Sequence, residues 1–285
     1  MRGIFWVAAG ATLWGTDAVL RRPLTNVLSP IQIVFYEHCI LAAVLLPVLI
    51  QYRTRLRKIT VSSWVAIGVI AWAGSVLGTV LFTYAVRAGN PTTAVLLQKI
   101  QPLFVIALAW TFLSERWHKH FPIVAGVAIG GAYLISFGAG NPATPWKSMD
   151  AEAALIALGA AAAWGCATVF GRYLSTKFPF ELITALRIIC ALPLLSSVAL
   201  YEGLVLPPRE AALPLIFIAL VPGFAGLMLY YRGLRGTSAS HASIGELAFP
   251  ATAAFLNWSV LGVTAEPLQF VGLAIVWASI FYLRQ

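Results

Sequence analysis

Apolar runs of roughly 18 to 25 residues follow one another along this entire chain, the length a helix needs to cross a hydrocarbon core of about 30 Å. Few folds are open to such a chain. In lipid every backbone N–H and C=O must be satisfied within the protein, so spanning segments are helices or closed barrels. Barrel strands would appear as runs of about ten residues alternating in polarity, and there are none. Composition agrees: 60% of the 285 residues are hydrophobic and only 10% are charged. A soluble domain carries about a quarter charged residues, because it must cover itself with polar surface.

The pattern predicts an all-α integral membrane protein with ten transmembrane helices, near Gly3–Leu20, Pro30–Ile50, Ser63–Val86, Pro91–Ser114, Phe121–Phe137, Ala151–Tyr173, Pro179–Leu200, Ala211–Arg232, Ser238–Gly262 and Pro267–Leu283. Connections are short, and several carry proline: Ser29-Pro30, Asn90-Pro91, Pro207-Pro208 and Glu266-Pro267. If the N-terminus is cytoplasmic, twelve Lys and Arg residues fall on that side, with Arg53, Arg55, Arg57 and Lys58 in one loop. Five fall opposite (Arg21, Arg22, Arg87, Lys147 and Arg209), while Lys99 and Arg187 lie within spans. This bias predicts an inner-membrane protein with both termini in the cytoplasm. It also accounts for the net charge of +9 through topology and anionic lipid, without nucleic acid. Cys39, Cys166 and Cys190 all fall inside spans and read as packing residues.

The chain also repeats itself. A shift of 150 residues lays Trp14-Gly15 on Trp164-Gly165 and Arg22 on Arg172; a shift of 149 lays Pro30 on Pro179 and His38 on Arg187. A shift of 148 pairs Gly78 with Gly226, Arg87 with Arg235, Gln98 with Glu246 and Pro102 with Pro250. One slowly drifting offset across four successive spans predicts two five-helix units, 1–138 and 151–285, joined by a linker at 139–150. Five is odd, so the second unit enters the membrane from the opposite face. Inverted repeats of this kind characterise secondary transporters, whose site lies near the midplane between the halves.

With these motifs the chain resembles the EamA-type transporters of the drug/metabolite transporter superfamily. The Trp-Gly pairs, the turns AVRAGNPTTA and GLRGTSASHA, the proline-bearing fourth helices, the Gly-rich fifth helices and LSERW (Leu113–Trp117) carry the likeness over nearly the whole chain. His38 stands where the family pattern has arginine, and Val263 stands near an expected glutamate, with Glu266 displaced. The resemblance implies ten helices around a central cavity and export of metabolites, often amino acids. Within the family it is most similar to the aromatic amino-acid exporters of the YddG type.

Ionisable groups inside a span cost roughly 2.5–3.5 kcal/mol each, so they mark function by default. Lys99 and Glu246 each lie about 12 Å deep at 1.5 Å per residue, from opposite faces. A cation and an anion facing one cavity would complement an amino acid. The expected arrangement has Glu246 attracting the ammonium and Lys99 or Gln98 meeting the carboxylate. Gln101 shares a helix face with Gln98. Trp14, Trp164, Tyr84 and Tyr230 would wall the side-chain pocket and favour flat apolar groups. Against these stand plainer readings: Lys99 snorkelling, mutual neutralisation of Lys99 and Glu246, and tryptophans that only pack helices. Asp17 has Arg21 at i+4 and forms an ordinary helical pair. Arg187 snorkels or ties helix ends, His241 caps or packs, and Glu37 and His38, being adjacent, cannot both line one surface. Pro102 and Pro250 are candidate hinges. Gly74/Gly78 and Gly126/Gly130 are GxxxG pairs, suited to close helix approach within the bundle or in a dimer.

No Walker loop, HExxH, Cys/His metal spacing or aspartate cluster is present in the sequence, so neither a cofactor nor an enzyme is expected. The expected function is a secondary transporter that exports small metabolites, aromatic or neutral amino acids foremost, by alternating access. A carrier of cationic drugs or nucleotide derivatives and a passive facilitator stand as alternatives. The expected partners are the small-molecule substrate and membrane lipid, with the protein a monomer or homodimer.

Overall fold

The computed structural model describes residues 3–88, 99–138, 151–260 and 266–284; these form helices joined by turns and short irregular stretches, without a strand among them. The linker at 139–150, Gln98 and Val263 lie outside the described residues. Helix α1 (Gly3–Trp14) gives way at Gly15-Thr16 to α2 (Asp17–Leu24), and α3 runs over Pro30–Gln51. α3 starts where Ser29 and Gln32 form a reciprocal capping box and Pro30 occupies the first turn, where a missing N–H costs nothing. The third span is α4 (Val61–Val69), a wide π-helical stretch (Ile70–Gly78) and α5 (Thr79–Ala88). Then come α6 (Gln101–Leu113) and α7 (Phe121–Phe137).

The rest of the chain is helical in the same manner. Helices α8 (Ala151–Ser175) and α9 (Phe180–Tyr201) precede α10 (Arg209–Ile218), a second π-helical stretch (Ala219–Gly226) and α11 (Leu227–Arg235). After them stand α12 (Ala239–Gly245), α13 (Ala248–Val260) and α14 (Pro267–Tyr282). Among the described residues six helical segments are long and apolar enough to cross a bilayer: Gly3–Leu24, Pro30–Gln51, Val61–Ala85, Leu155–Ser175, Phe180–Tyr201 and Arg209–Arg235. The apolar helices α6, α7 and α14 are shorter. The expected ninth span is broken at Glu246-Leu247 into α12 and α13, and the described part of the fourth begins at Lys99. Broken helices are tolerated at membrane depth only where the freed backbone groups line a cavity or are buried in protein.

The halves interlock rather than sit side by side. α1 packs on α11, α3 on α9, and α8 on the first π-helical stretch and α6. Glycines set these distances. A Cβ on Gly233 would lie 2.5 Å from the Val7 backbone nitrogen, and one on Gly272 would lie 2.5 Å from the Gly131 carbonyl oxygen, where α7 meets α14. The GxxxG expectation divides accordingly. Gly74 and Gly78 sit in close contacts, whereas a Cβ on Gly126 or Gly130 would meet nothing within 4 Å among the described residues. The close approach on α7 falls to Gly131, because only that face of the helix turns toward α14.

Candidate substrate cavity

A cavity of about 140 Å³, partly open to solvent, lies where the broken helices and both π-helical stretches meet. Its walls come from both halves of the chain, and no residue of α7 or α14 lines it.

Glu246 occupies the break between α12 and α13, and its carboxylate is held from three helices. The Tyr230 hydroxyl donates to Oε1 at 2.9 Å, the Thr168 hydroxyl donates to the same oxygen at 3.1 Å, and Gln101 Nε2 donates to Oε2 at 2.5 Å. The Tyr230 ring in turn lies against Trp14, with centroids 4.9 Å apart. Trp14, Trp164, Gln101, Tyr230 and Glu246 therefore meet in one cavity.

The two tryptophans make matching contacts. Trp14 Nε1 donates to the Pro222 carbonyl at 3.1 Å, and Trp164 Nε1 donates to the Gly74 carbonyl at 2.9 Å. Each acceptor belongs to the π-helical stretch of the other half. A Cβ on Gly226 would lie 2.7 Å from the Trp14 indole, and one on Gly78 would lie 2.7 Å from that of Trp164. Wide π turns free carbonyls from the regular ladder and are frequent at functional sites.

Lys99 is buried and lines the cavity, but it does not pair with Glu246. Its Nζ donates to the Ala132 carbonyl on α7 at 2.6 Å. An ammonium in an apolar wall takes a nearby strong acceptor, here a backbone oxygen of α7. Tyr84 is not among the lining residues; it sits beside Glu202 and Arg87, because its face of α5 turns away from the face that carries Phe82 and Thr79. Pro102 and Pro250 line the cavity, yet each falls in the first turn of a helix, α6 and α13, rather than mid-helix. There the absent N–H interrupts no bond. Each stands at the start of a described helix rather than in its middle.

Other polar residues have larger roles than their spacing indicated. Asp17 and Arg21 do form the i, i+4 pair, at 2.6 and 2.9 Å, but Arg21 also binds Glu37 at 2.8 Å, and the buried cluster faces the cavity. Glu37 and His38 both line the cavity despite being neighbours, since α3 is flanked by cavity over a wide arc. His38 Nδ1 donates to the Val34 carbonyl at 2.8 Å. Arg187 is buried in the wall; its Nε donates to Ser75 Oγ at 2.9 Å and its Nη1 to the Tyr231 hydroxyl at 3.1 Å. His241 caps α12 with Ser238 and stacks on Phe121, outside the cavity. Thr168 and Ser75 were not singled out by sequence, and Arg21 was read there only as the helical partner of Asp17. The shared depth of Arg187, Glu37 and Asp17 within spans was the available signal.

Glu115 of the LSERW segment binds the start of α12. Its carboxylate accepts from the Ala239 N–H at 2.7 Å and from the Ser240 N–H and hydroxyl at 3.0 and 2.7 Å. Glu266, the displaced acid, stands at the N-cap of α14 in a capping box with Gln269.

The model of the EamA-like transporter family matches residues 1–137 and again residues 151–285. The riboflavin transporter ImpX of Fusobacterium nucleatum is 27% identical over 289 residues, covering 98% of this chain and 96% of that protein. A probable terminal-alkyne amino-acid exporter of Streptantibioticus cattleyicolor is 26% identical over 202 residues, covering 68% and 64%. A crystal structure with 16% sequence identity superposes with a TM-score of 0.75 and covers 100% of this chain and 99% of its own, a likeness of fold. Two matches of one family model that together take in nearly the whole chain, with transporters among the relatives, identify this multi-pass membrane protein as a transporter rather than an enzyme, and a member of the EamA-like transporter family.

Proposed function

We propose that this protein is an alternating-access carrier for small amino acids with flat apolar side chains, exporting them across the inner membrane. The carrying observation is the juxtaposition, in one cavity, of the hydrogen-bonded Glu246 carboxylate with the cations Arg187 and Lys99, between walls that include Trp14 and Trp164. Neither cation is ion-paired among the described residues. A zwitterion satisfies both signs at once, whereas a simple cation or a neutral solute leaves one of them bare. The tryptophans offer stacking surface to the side chain.

The carrier would consist of two inverted five-helix units with ten spans and cytoplasmic termini. The exchange of tryptophan contacts between the halves and the double match of the family model support this layout. The turn at Lys99-Ile100 and the break at Glu246-Leu247, each followed by a proline in the next helical turn, are where the halves would flex. A second reading, a flavin-like cargo, is favoured by the similarity to a riboflavin transporter over nearly the full length of both chains. It would use the same aromatic walls.

Uptake of radiolabelled phenylalanine into proteoliposomes, competed with other amino acids, riboflavin and cationic drugs, tests these readings. Saturable phenylalanine uptake that E246Q abolishes is the expected result. Competition by riboflavin alone would replace the amino-acid reading with the flavin one, and movement of cations alone would sink both.

A further inference from the structure

Resting on the amino-acid reading above, we infer that Arg187 is the subsite for the cargo's carboxylate, and that Arg187 and Glu246 form a paired charge site on the consecutive tyrosines Tyr230 and Tyr231. Sequence spacing had pointed to Lys99 or Gln98 for this task. Lys99 already has its ammonium on the Ala132 carbonyl, anchored to a helix that contributes nothing else to the cavity. Arg187 is differently placed. Ser75 and Tyr231 fix its Nε and Nη1, while Nη2 has no acceptor among the described residues. The space for that nitrogen is made by Gly74, where a Cβ would lie 2.9 Å from it. A guanidinium with Nε and Nη1 held in place and Nη2 left over can still give a carboxylate a charge-assisted hydrogen bond from Nη2.

Two further observations bear on the same wall. His38 is buried in the cavity wall, and its Nε2 has no partner among the described residues. Because Nδ1 donates to Val34, Nε2 of the neutral ring is an unmatched acceptor beside the site. On the other side, the Tyr231 hydroxyl touches Arg187 and the Tyr230 hydroxyl touches Glu246, with the two rings 5.4 Å apart. Arg187 and Glu246 line the same cavity, and an α-amino acid carries one charge for each. Glu246 takes the ammonium and Arg187 the carboxylate, which turns the side chain toward the tryptophans.

The test is binding of three probes to the purified full-length protein in detergent, by titration calorimetry: phenylalanine, phenethylamine (ammonium only) and 3-phenylpropionate (carboxylate only). In R187Q, affinity for phenylalanine and 3-phenylpropionate is expected to fall roughly tenfold or more, as when a charge-assisted bond is lost. Phenethylamine is expected to change less than about twofold, since its ammonium never engages Arg187. E246Q should show the reverse selectivity. S75A, which frees the guanidinium from its hydroxyl, should weaken the two carboxylate probes in the same direction and serves if R187Q does not fold. Equal loss of all three probes in both variants would mean a structural role, and unchanged 3-phenylpropionate binding, or none by the native protein, would also overturn the inference. Arg187-dependent binding of 3-phenylpropionate without phenylalanine transport would instead sink the amino-acid reading and leave the anion subsite standing.

Discussion

Gln101 and Glu246, 145 positions apart in sequence, meet at 2.5 Å, so an amide from the first half of the chain holds the carboxylate on the broken helix of the second. Removing that donor leaves Glu246 Oε2 without its partner in a poorly hydrated wall. Q101A is therefore expected to cost about 1–3 kcal/mol, the penalty for an unsatisfied buried group. A thermal melt in detergent reads the loss. Transport should fall with it, since the carboxylate is then free to turn from the cavity. An unchanged melting temperature would mean that water replaces the amide at no cost.

The Arg21 guanidinium lies between the carboxylates of Asp17 and Glu37, and all three are buried. R21M leaves two acids facing each other without a cation and is expected to destabilise by about 3–5 kcal/mol. E37Q should be far milder, because Asp17 keeps both of its contacts to Arg21. Melts of the two variants side by side check the order. A harmless R21M would show that the cluster is solvated in the membrane.

Gly78 and Gly226 make room for Trp164 and Trp14 respectively. A methyl group at either position must push an indole off its carbonyl acceptor, so G78A and G226A should each cost about 1–3 kcal/mol and reduce transport. G126A is the control, since a Cβ there would meet nothing within 4 Å among the described residues. Equal effects at all three positions would remove the tryptophan contacts as the cause.

Glu115 caps α12 from outside that helix. E115A strips acceptors from two N–H groups and should destabilise α12 by about 0.5–2 kcal/mol. The local readout is amide hydrogen exchange, which should quicken over residues 239–246 and not over α9. Uniform quickening across the protein would indicate global loss instead.

The amino-acid sequence by itself determined the class, the family and the positions of most helices. Long apolar runs leave a backbone no alternative to helix in lipid, and the Trp-Gly, Arg and Pro markers recur at a nearly fixed offset. It also marked Glu246, Trp14, Trp164, Gln101 and Tyr230, because polar and aromatic groups at corresponding depths stand out against an apolar background. Tertiary structure decided which of the marked residues meet. Tyr84 turns away, Lys99 is taken by the Ala132 carbonyl, and Arg187 comes to the cavity wall beside Ser75. The physical reason is that lipid and protein interior are equally apolar. A membrane helix therefore shows little periodicity to reveal its cavity face, and backbone carbonyls such as those of Gly74, Ala132 and Pro222 have no signature in sequence at all.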